Sequence, residues 1–325
     1  MSARRCVSPG GPKTSPPIGA HTSVRSYRVI IALMLLALFQ TMRPKQWTKN
    51  FFVYAALVFD HKLFDPIAFA HTSLGFGLLC MAASAIYLIN DLVDIEKDRQ
   101  HPKKRLRPLP AGRLNVRVAQ ATAALLLLVA VPAALALEWR FGVSVLVYLI
   151  ANLLYSFHLK HIVLIDVLLL ASFYLLRAAA GAFIINVNIS PWLYICMSLL
   201  ALFLGFGKRR GELLLMQNGA AAGGASRRVL EHYTLGFLDE LINIVSTATI
   251  VAYSLYTFSA DSLPGNHAMM LTIPFVLYGL FRYLYLIHIK GEGGAPDELI
   301  LTDRPLQITF GLWAVSAVAI LYFPK

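Results

Sequence analysis

Nine apolar runs, each close to the roughly 20 residues that carry an α-helix across a bilayer, constrain this chain more than any other feature. They fall near 47–63, 66–90, 115–135, 140–157, 162–186, 190–207, 238–258, 268–289 and 306–323. Charged residues make up 14% of the 325 positions against 58% hydrophobic ones, too few to coat a water-soluble globule of that size. Lipid is therefore the expected solvent. The expected fold class is an all-α, multi-pass integral membrane protein whose nine transmembrane helices form one bundle.

Lys and Arg concentrate in cytoplasmic loops, so their placement predicts orientation. The amino-terminal arginines and Lys13, the 43–49 segment, the 97–113 loop, Lys160, the 208–228 loop and the 290–304 loop share one side. Only Lys62, Arg140 and Lys325 fall on the other. The amino terminus is thus predicted inside, in an inner or plasma membrane, with function on the cytoplasmic face where the long polar loops lie. Most of the net charge of +12 is this bias plus anion binding, and it calls for no nucleic-acid partner. Residues 1–27, rich in Pro, Gly and Ser, read as a disordered cytoplasmic tail, leaving 28–325 as the nine-helix membrane domain. Residues 28–42 are apolar but too short to span, and suit a helix lying at the interface. Cys6, Cys80 and Cys196 have no paired spacing, so neither a disulfide framework nor a cysteine metal cluster is expected.

The strongest chemical signal is Asn90-Asp91-Leu92-Val93-Asp94-Ile95-Glu96-Lys97-Asp98 at the mouth of an apolar helix, followed by Lys103, Lys104, Arg105 and Arg107. At roughly 100° per residue, Asn90, Asp91, Asp94 and Asp98 share about a quarter-turn arc, and Glu96 points away. Hard oxygen donors on one face suit a hydrated Mg²⁺ held partly by substrate phosphates. An ordinary charged helix end would carry similar residues in a soluble protein, but a membrane-embedded helix shifts the balance toward a site.

Three further clusters lie on the same side. Arg43-Pro44-Lys45-Gln46-Trp47-Thr48-Lys49-Asn50 reads either as an interfacial anchor or, through Lys45, Lys49 and Asn50, as part of a site. Gly207-Lys208-Arg209-Arg210-Gly211-Glu212 places Lys208 and Glu212 on one helical face, with Arg209 adjacent, and reads as a phosphate site or a plain positive cap. Arg177 lies mid-membrane, and Asp166, eleven residues earlier and about 20° away around the helix, is predicted to look into the same cavity. A structural ion pair with another helix is the alternative for Arg177.

Together these residues resemble the UbiA-type superfamily of intramembrane transferases, nine-helix bundles with Asp-rich motifs after the second and sixth helices. The resemblance covers about 40–320, and Asn90, Asp91, Asp94 and Asp98 match its NDxxDxxxD motif. Where ordinary prenyltransferases of that superfamily carry a second Asp-rich motif, this chain has Lys208-Arg209-Arg210. RPxQWxKN at 43–50, HPxKRxRP at 101–108, GKRxxEL at 207–213 and LxDRxLQ at 301–307 look like its decaprenyl-phosphate phosphoribosyltransferase branch.

The resemblance implies Mg²⁺-dependent transfer of 5-phosphoribose from 5-phosphoribosyl 1-diphosphate to a polyprenyl phosphate, with a place in supplying cell-wall arabinan precursors. It implies Asn90, Asp91, Asp94 and Asp98 as metal ligands, the three carboxylates being the catalytic set. Candidate substrate contacts are Lys45, Lys49, Asn50, Asn90, Lys103, Arg105, Tyr155, Lys160, Arg177, Lys208, Arg209, Glu212 and Arg304, with Asp303 and Arg304 as a lid. Whether the Lys208 and Arg209 cations meet the ribose phosphate or the lipid phosphate is left open, as is assembly into a homo-oligomer. The rival within the fold is prenyl transfer from a prenyl diphosphate to an aromatic or other apolar acceptor. A lipid-phosphate carrier is the rival of another class, and it would call for polar residues along a path to the outer face.

Overall fold

The computed structural model describes residues 20–102, 104–188, 190–217, 228–260, 263–291, 299 and 302–323, with side chains from Ile31 onward except at 228. Among these residues all regular structure is helical. Helix α1 covers Ala20–Thr41. A 3₁₀ run, Pro44–Tyr54, leads into the five-residue α2, Ala55–Phe59. The long α3, Pro66–Val93, is followed by the short α4, Ile95–Gln100. The remaining helices are α5 (Val116–Leu137), α6 (Trp139–Phe157), α7 (Ile165–Ile184), α8 (Pro191–Gln217), α9 (Leu235–Ser259), α10 (Ile273–His288) and α11 (Arg304–Tyr322). Their starts follow from local chemistry. The Asp65 carboxylate accepts from the Ile67 and Ala68 N–H groups with Pro66 at the first position, and Asn115, Glu138, Thr234 and Asp303 cap α5, α6, α9 and α11 in the same manner.

Among the described residues eight helical segments, one of them α10 with the 3₁₀ turn before it (Ala268–His288), are long and apolar enough to cross a membrane, and they coincide with eight of the nine expected spans. Large apolar side chains such as Ile67, Leu128 and Val315 stand on their outer surfaces, which only a lipid solvent makes favourable. The protein is an integral, multi-pass membrane protein. The expected first span, 47–63, takes a different form. Instead of one α-helix, Pro44–Phe59 is a 3₁₀ run plus one α-turn and a half, and the chain breaks at the polar Asp60–Asp65 stretch. Because a 3₁₀ helix rises about 2.0 Å per residue, this short segment reaches about 30 Å, the thickness of the hydrocarbon core. Its ends confirm the crossing: Arg43 bonds to Asp91 at one end of the bundle, and Lys62 bonds to the Ile185 carbonyl at the other.

Residues 1–19 lie outside the described residues, and α1 already begins at Ala20, inside the stretch read as a tail. The carboxyl-terminal half of α1 packs Met34, Ala37 and Leu38 onto Leu88, Leu109 and Leu114, beside the ends of α3 and α5. One core, centred on Leu79, Phe141, Val145 and Ala180, joins α3, α5, α6 and α7 to the 3₁₀ run. A second, around Phe203, Leu213, Ile242 and Leu286, joins α8, α9 and α10. The bundle closes where Tyr322 of α11 accepts from the Leu63 N–H at 2.9 Å and donates to the Val58 carbonyl at 3.0 Å.

The 3₁₀ run sits deep against α7 because position 181 carries no side chain: a Cβ there would lie 1.9 Å from the Val53 carbonyl oxygen. Gly181→Ala is expected to push the two backbones apart and lower the thermal midpoint in detergent, at a cost of about 1–3 kcal/mol. Gly77→Ala, where a Cβ meets nothing within 4 Å, is the control and leaves the midpoint in place. Equal behaviour of the two variants in a fluorescence melt would contradict the close packing.

Candidate active site

Antiparallel connectivity brings the end of α3, the 101–114 loop, the α6–α7 turn, the end of α8 and the 228–234 segment to the same end of the bundle. The carboxylate motif spans a helix junction there. Residue 94 leaves helical geometry (φ −90°, ψ 8°), yet the Asp94 N–H still donates to Asn90 O and the Asp98 N–H to Asp94 O. The quarter-turn arc therefore survives the break. Asp91 and Asp98 are each only 2% exposed, whereas Asn90 and Asp94 are half-buried. Among the described residues Asp94 makes a loose pair with Lys97 at 4.0 Å, and Glu96 turns outward to Arg99, as its spacing predicts.

Two arginines that the motif reading leaves out of the site hold the buried carboxylates. Arg43 Nη2 donates to Asp91 Oδ1 at 2.5 Å, and its guanidinium lies 4.8 Å over the Tyr87 ring. Arg107 Nη1 lies 2.6 Å from Asp98 Oδ2 and 3.3 Å from Asp91 Oδ1. Lys104 Nζ is 3.5 Å from Asp98 Oδ1. The signal for Arg107 was in the 101–108 motif itself, where a turn closed by Arg105 N–H to His101 O folds it back onto the carboxylates. Among the described residues no three acidic, imidazole or thiol groups converge at metal distance.

The second centre is Arg209, which has no exposed surface. Its Nε donates to Asp166 Oδ2 at 2.6 Å, Nη1 to Glu212 Oε2 at 2.5 Å, and Nη2 to the Tyr155 hydroxyl at 3.3 Å. Tyr233 donates to the other Asp166 oxygen at 2.9 Å and accepts from the Leu164 N–H at 2.8 Å. Burial pushes the Tyr233 phenol up to about 12, so it stays a donor. Asp166, predicted from its spacing to look into the same cavity as Arg177, pairs with Arg209 from the neighbouring helix. Arg177 bonds instead to Asn50 Oδ1 at 2.7 Å, the Tyr148 hydroxyl at 3.0 Å and the Phe173 carbonyl at 2.8 Å. Asn50, nearly inaccessible, donates on to Cys80 Sγ at 3.2 Å.

The two centres are linked by an aromatic interior. Tyr87, Tyr148, Tyr155 and Phe173 belong to one cluster, with Arg43 at the Tyr87 end and Arg209 at the Tyr155 end. Lys49, Lys160 and Lys208 are half-buried, while Lys45 and Arg105 are exposed. Lys103 lies outside the described residues. Arg304 is exposed at the start of α11, and Asp303 is fixed by Arg282 at 2.8 Å, a bond that holds its carboxyl below the usual range.

Residues 49–296 match the model of the UbiA prenyltransferase family. The chain belongs to that family. Relatives that it resembles include the decaprenyl-phosphate phosphoribosyltransferase of Mycolicibacterium smegmatis, 34% identical over 307 residues, covering 89% of this chain and 94% of the relative. The protein of the same name from Mycobacterium tuberculosis is 32% identical over 296 residues, covering 90% and 96%. Among solved structures, a UbiA homolog from Archaeoglobus fulgidus bound to GPP and Mg²⁺ superposes with a TM-score of 0.66 at 20% identity, covering 88% of this chain and 99% of that one. That likeness establishes a UbiA fold.

Proposed function

We propose that this protein transfers 5-phosphoribose from 5-phosphoribosyl 1-diphosphate to a polyprenyl phosphate, decaprenyl phosphate in the named relatives, with release of pyrophosphate. One observation carries the reading beyond the family: a clamped arginine, Arg209 between Asp166 and Glu212, stands at the end of α8 in place of a second carboxylate cluster. That leaves one carboxylate centre for one diphosphate, and at the end of α8 the Lys208 cation, beside the charge-paired Arg209, for an anionic co-substrate.

With no three acidic groups converging among the described residues, the donor set fits an Mg²⁺ whose ligation the diphosphate oxygens would complete. Asp91, Asp94, Asp98 and Asn90 supply hard oxygens, and Asp91 and Asp98 already share one cation, the Arg107 Nη1 group, at 3.3 and 2.6 Å. When bound there, Mg²⁺ would neutralise charge on the departing pyrophosphate as the ribose C1–O bond loosens toward an oxocarbenium ion. Lys45, Lys49 and Lys208 offset the repulsion between the approaching anions. Arg209 acts by positioning, since its hydrogen bonds fix Glu212 and the Tyr155 hydroxyl and leave it no exposed surface. Lys208, half-buried beside it, is the phosphate contact of that pair. No strong general base is required, because a lipid phosphate with a second pKa of about 6 is already largely dianionic near neutral pH.

Radiolabelled phosphoribosyl diphosphate, incubated with purified protein and Mg²⁺, is expected to pass label into an organic-extractable product only when polyprenyl phosphate is present. Label transfer to an aromatic acceptor, or none, would contradict the reading. The site is expected to face the cytoplasm, as the Lys and Arg distribution indicates. In a chain with Cys6 replaced, Arg105→Cys should react with an impermeant thiol reagent in inverted vesicles and stay unreacted in intact cells. The opposite pattern would turn the site outward.

A further inference from the structure

The buried carboxylates and the cations that hold them are built asymmetrically. Asp91 and Asp98 are fixed and sealed, while the Arg43, Arg107 and Lys104 side chains that reach them are 30%, 32% and 44% exposed. Buried anions need counter-charge at all times, and here it arrives on side chains long enough to withdraw to the rim. Arg107 Nη1, within 3.3 Å of one carboxylate and 2.6 Å of the other, sits where a shared divalent ion would sit.

We propose that Arg107, seconded by Arg43, is an internal stand-in for the divalent cation, and that this makes metal and diphosphate bind as a mutually dependent pair. The inference rests on the metal-diphosphate reading of the carboxylate motif. Around Asp91 and Asp98 the described cations outnumber the carboxylates three to two. A divalent ion arriving alone must evict guanidinium groups from their carboxylates, add two further positive charges, and offer the evicted groups nothing in return. A diphosphate removes that penalty. Its oxygens accept the displaced Arg107 and Arg43 forks, which match phosphate geometry two bonds at a time. A diphosphate arriving alone finds those forks still engaged with Asp91 and Asp98. Each ligand therefore lowers the cost of the other, and the coupling is reciprocal. The Arg43 backbone, held at φ 54° beside Pro44, stays in place while its side chain changes partner between Asp91 and the ligand.

Mn²⁺, followed by the loss of its free-ion electron paramagnetic resonance signal, is the probe, titrated into the full-length detergent-purified protein with and without pyrophosphate. Wild type is expected to bind Mn²⁺ weakly alone and far more tightly with pyrophosphate. Arg107→Gln is expected to bind Mn²⁺ alone about tenfold tighter than wild type, with the pyrophosphate enhancement reduced by a similar factor. Arg107→Lys, which keeps the charge, should stay near wild type. Arg43→Gln should shift in the same direction as Arg107→Gln, and carries the test if the latter does not purify as a folded protein. Mn²⁺ affinities without pyrophosphate that are equal in wild type and both Gln variants would overturn the stand-in alone. Absence of protein-bound Mn²⁺ in every variant, with pyrophosphate present, would overturn the metal reading as well.

Discussion

Asp94→Asn is expected to lower turnover by about 100- to 1000-fold, on the order of 3–4 kcal/mol of transition-state stabilisation, in a protein that inserts and melts as wild type does. The structure makes this variant a clean test. Asp94 is half-exposed, caps no helix with its side chain, and among the described residues pairs with Lys97 at 4.0 Å. Such a surface pair is worth about 0–1 kcal/mol, so its loss cannot unfold the bundle. Any large effect must come from the chemistry its carboxylate serves. Glu96→Gln two residues on removes an outward-facing pair with Arg99 and should be mild. Full turnover of Asp94→Asn at millimolar Mg²⁺, on the order of 10 mM at most, would remove Asp94 from the metal set.

Arg209→Ala should fail differently. It strands the Asp166 carboxylate, which has no exposed surface, with Tyr233 and no cation, a loss of about 3–5 kcal/mol for a broken buried pair. A clear drop in detergent thermal midpoint is expected, together with loss of activity. Asp166→Ala should be similarly harmful, and the double variant less so than the sum of the two, because each single change leaves the other charge unpaired. Lys208→Ala, by contrast, should keep its midpoint and raise the apparent Michaelis constant for one anionic substrate by a factor on the order of ten to a hundred, as one charge-assisted bond of roughly 1.5–3 kcal/mol is lost. Additive stability losses in the double variant would show that Arg209 and Asp166 do not depend on each other.

The contrast between Lys208 and Arg209 also shows where sequence reading stops. Apolar length locates eight spans, and the 90–98 spacing locates the carboxylate face, because both depend on geometry within one helix. Partnerships between helices are not encoded in that spacing. Asp166 and Arg177 share a face of α7, yet each meets a residue from elsewhere: Asp166 meets Arg209 of α8, and Arg177 meets Asn50 of the 3₁₀ run. The run itself is hidden in the sequence, since an apolar segment that crosses as a 3₁₀ helix has the composition of an α-helical one. Contacts between elements fix its path, above all the close approach at Gly181 and the Asn50–Arg177 bond. Arg43 carries no local signal of its role, being 48 residues from Asp91.

The most direct test of phosphoribosyl transfer is the product itself. Purified protein given Mg²⁺, phosphoribosyl diphosphate and polyprenyl phosphate should yield, by mass spectrometry, the polyprenyl phosphate enlarged by one phosphoribosyl unit, with one pyrophosphate released per product. A prenylated aromatic product from a prenyl diphosphate, with phosphoribosyl diphosphate left untouched, would contradict the account while leaving the UbiA fold in place.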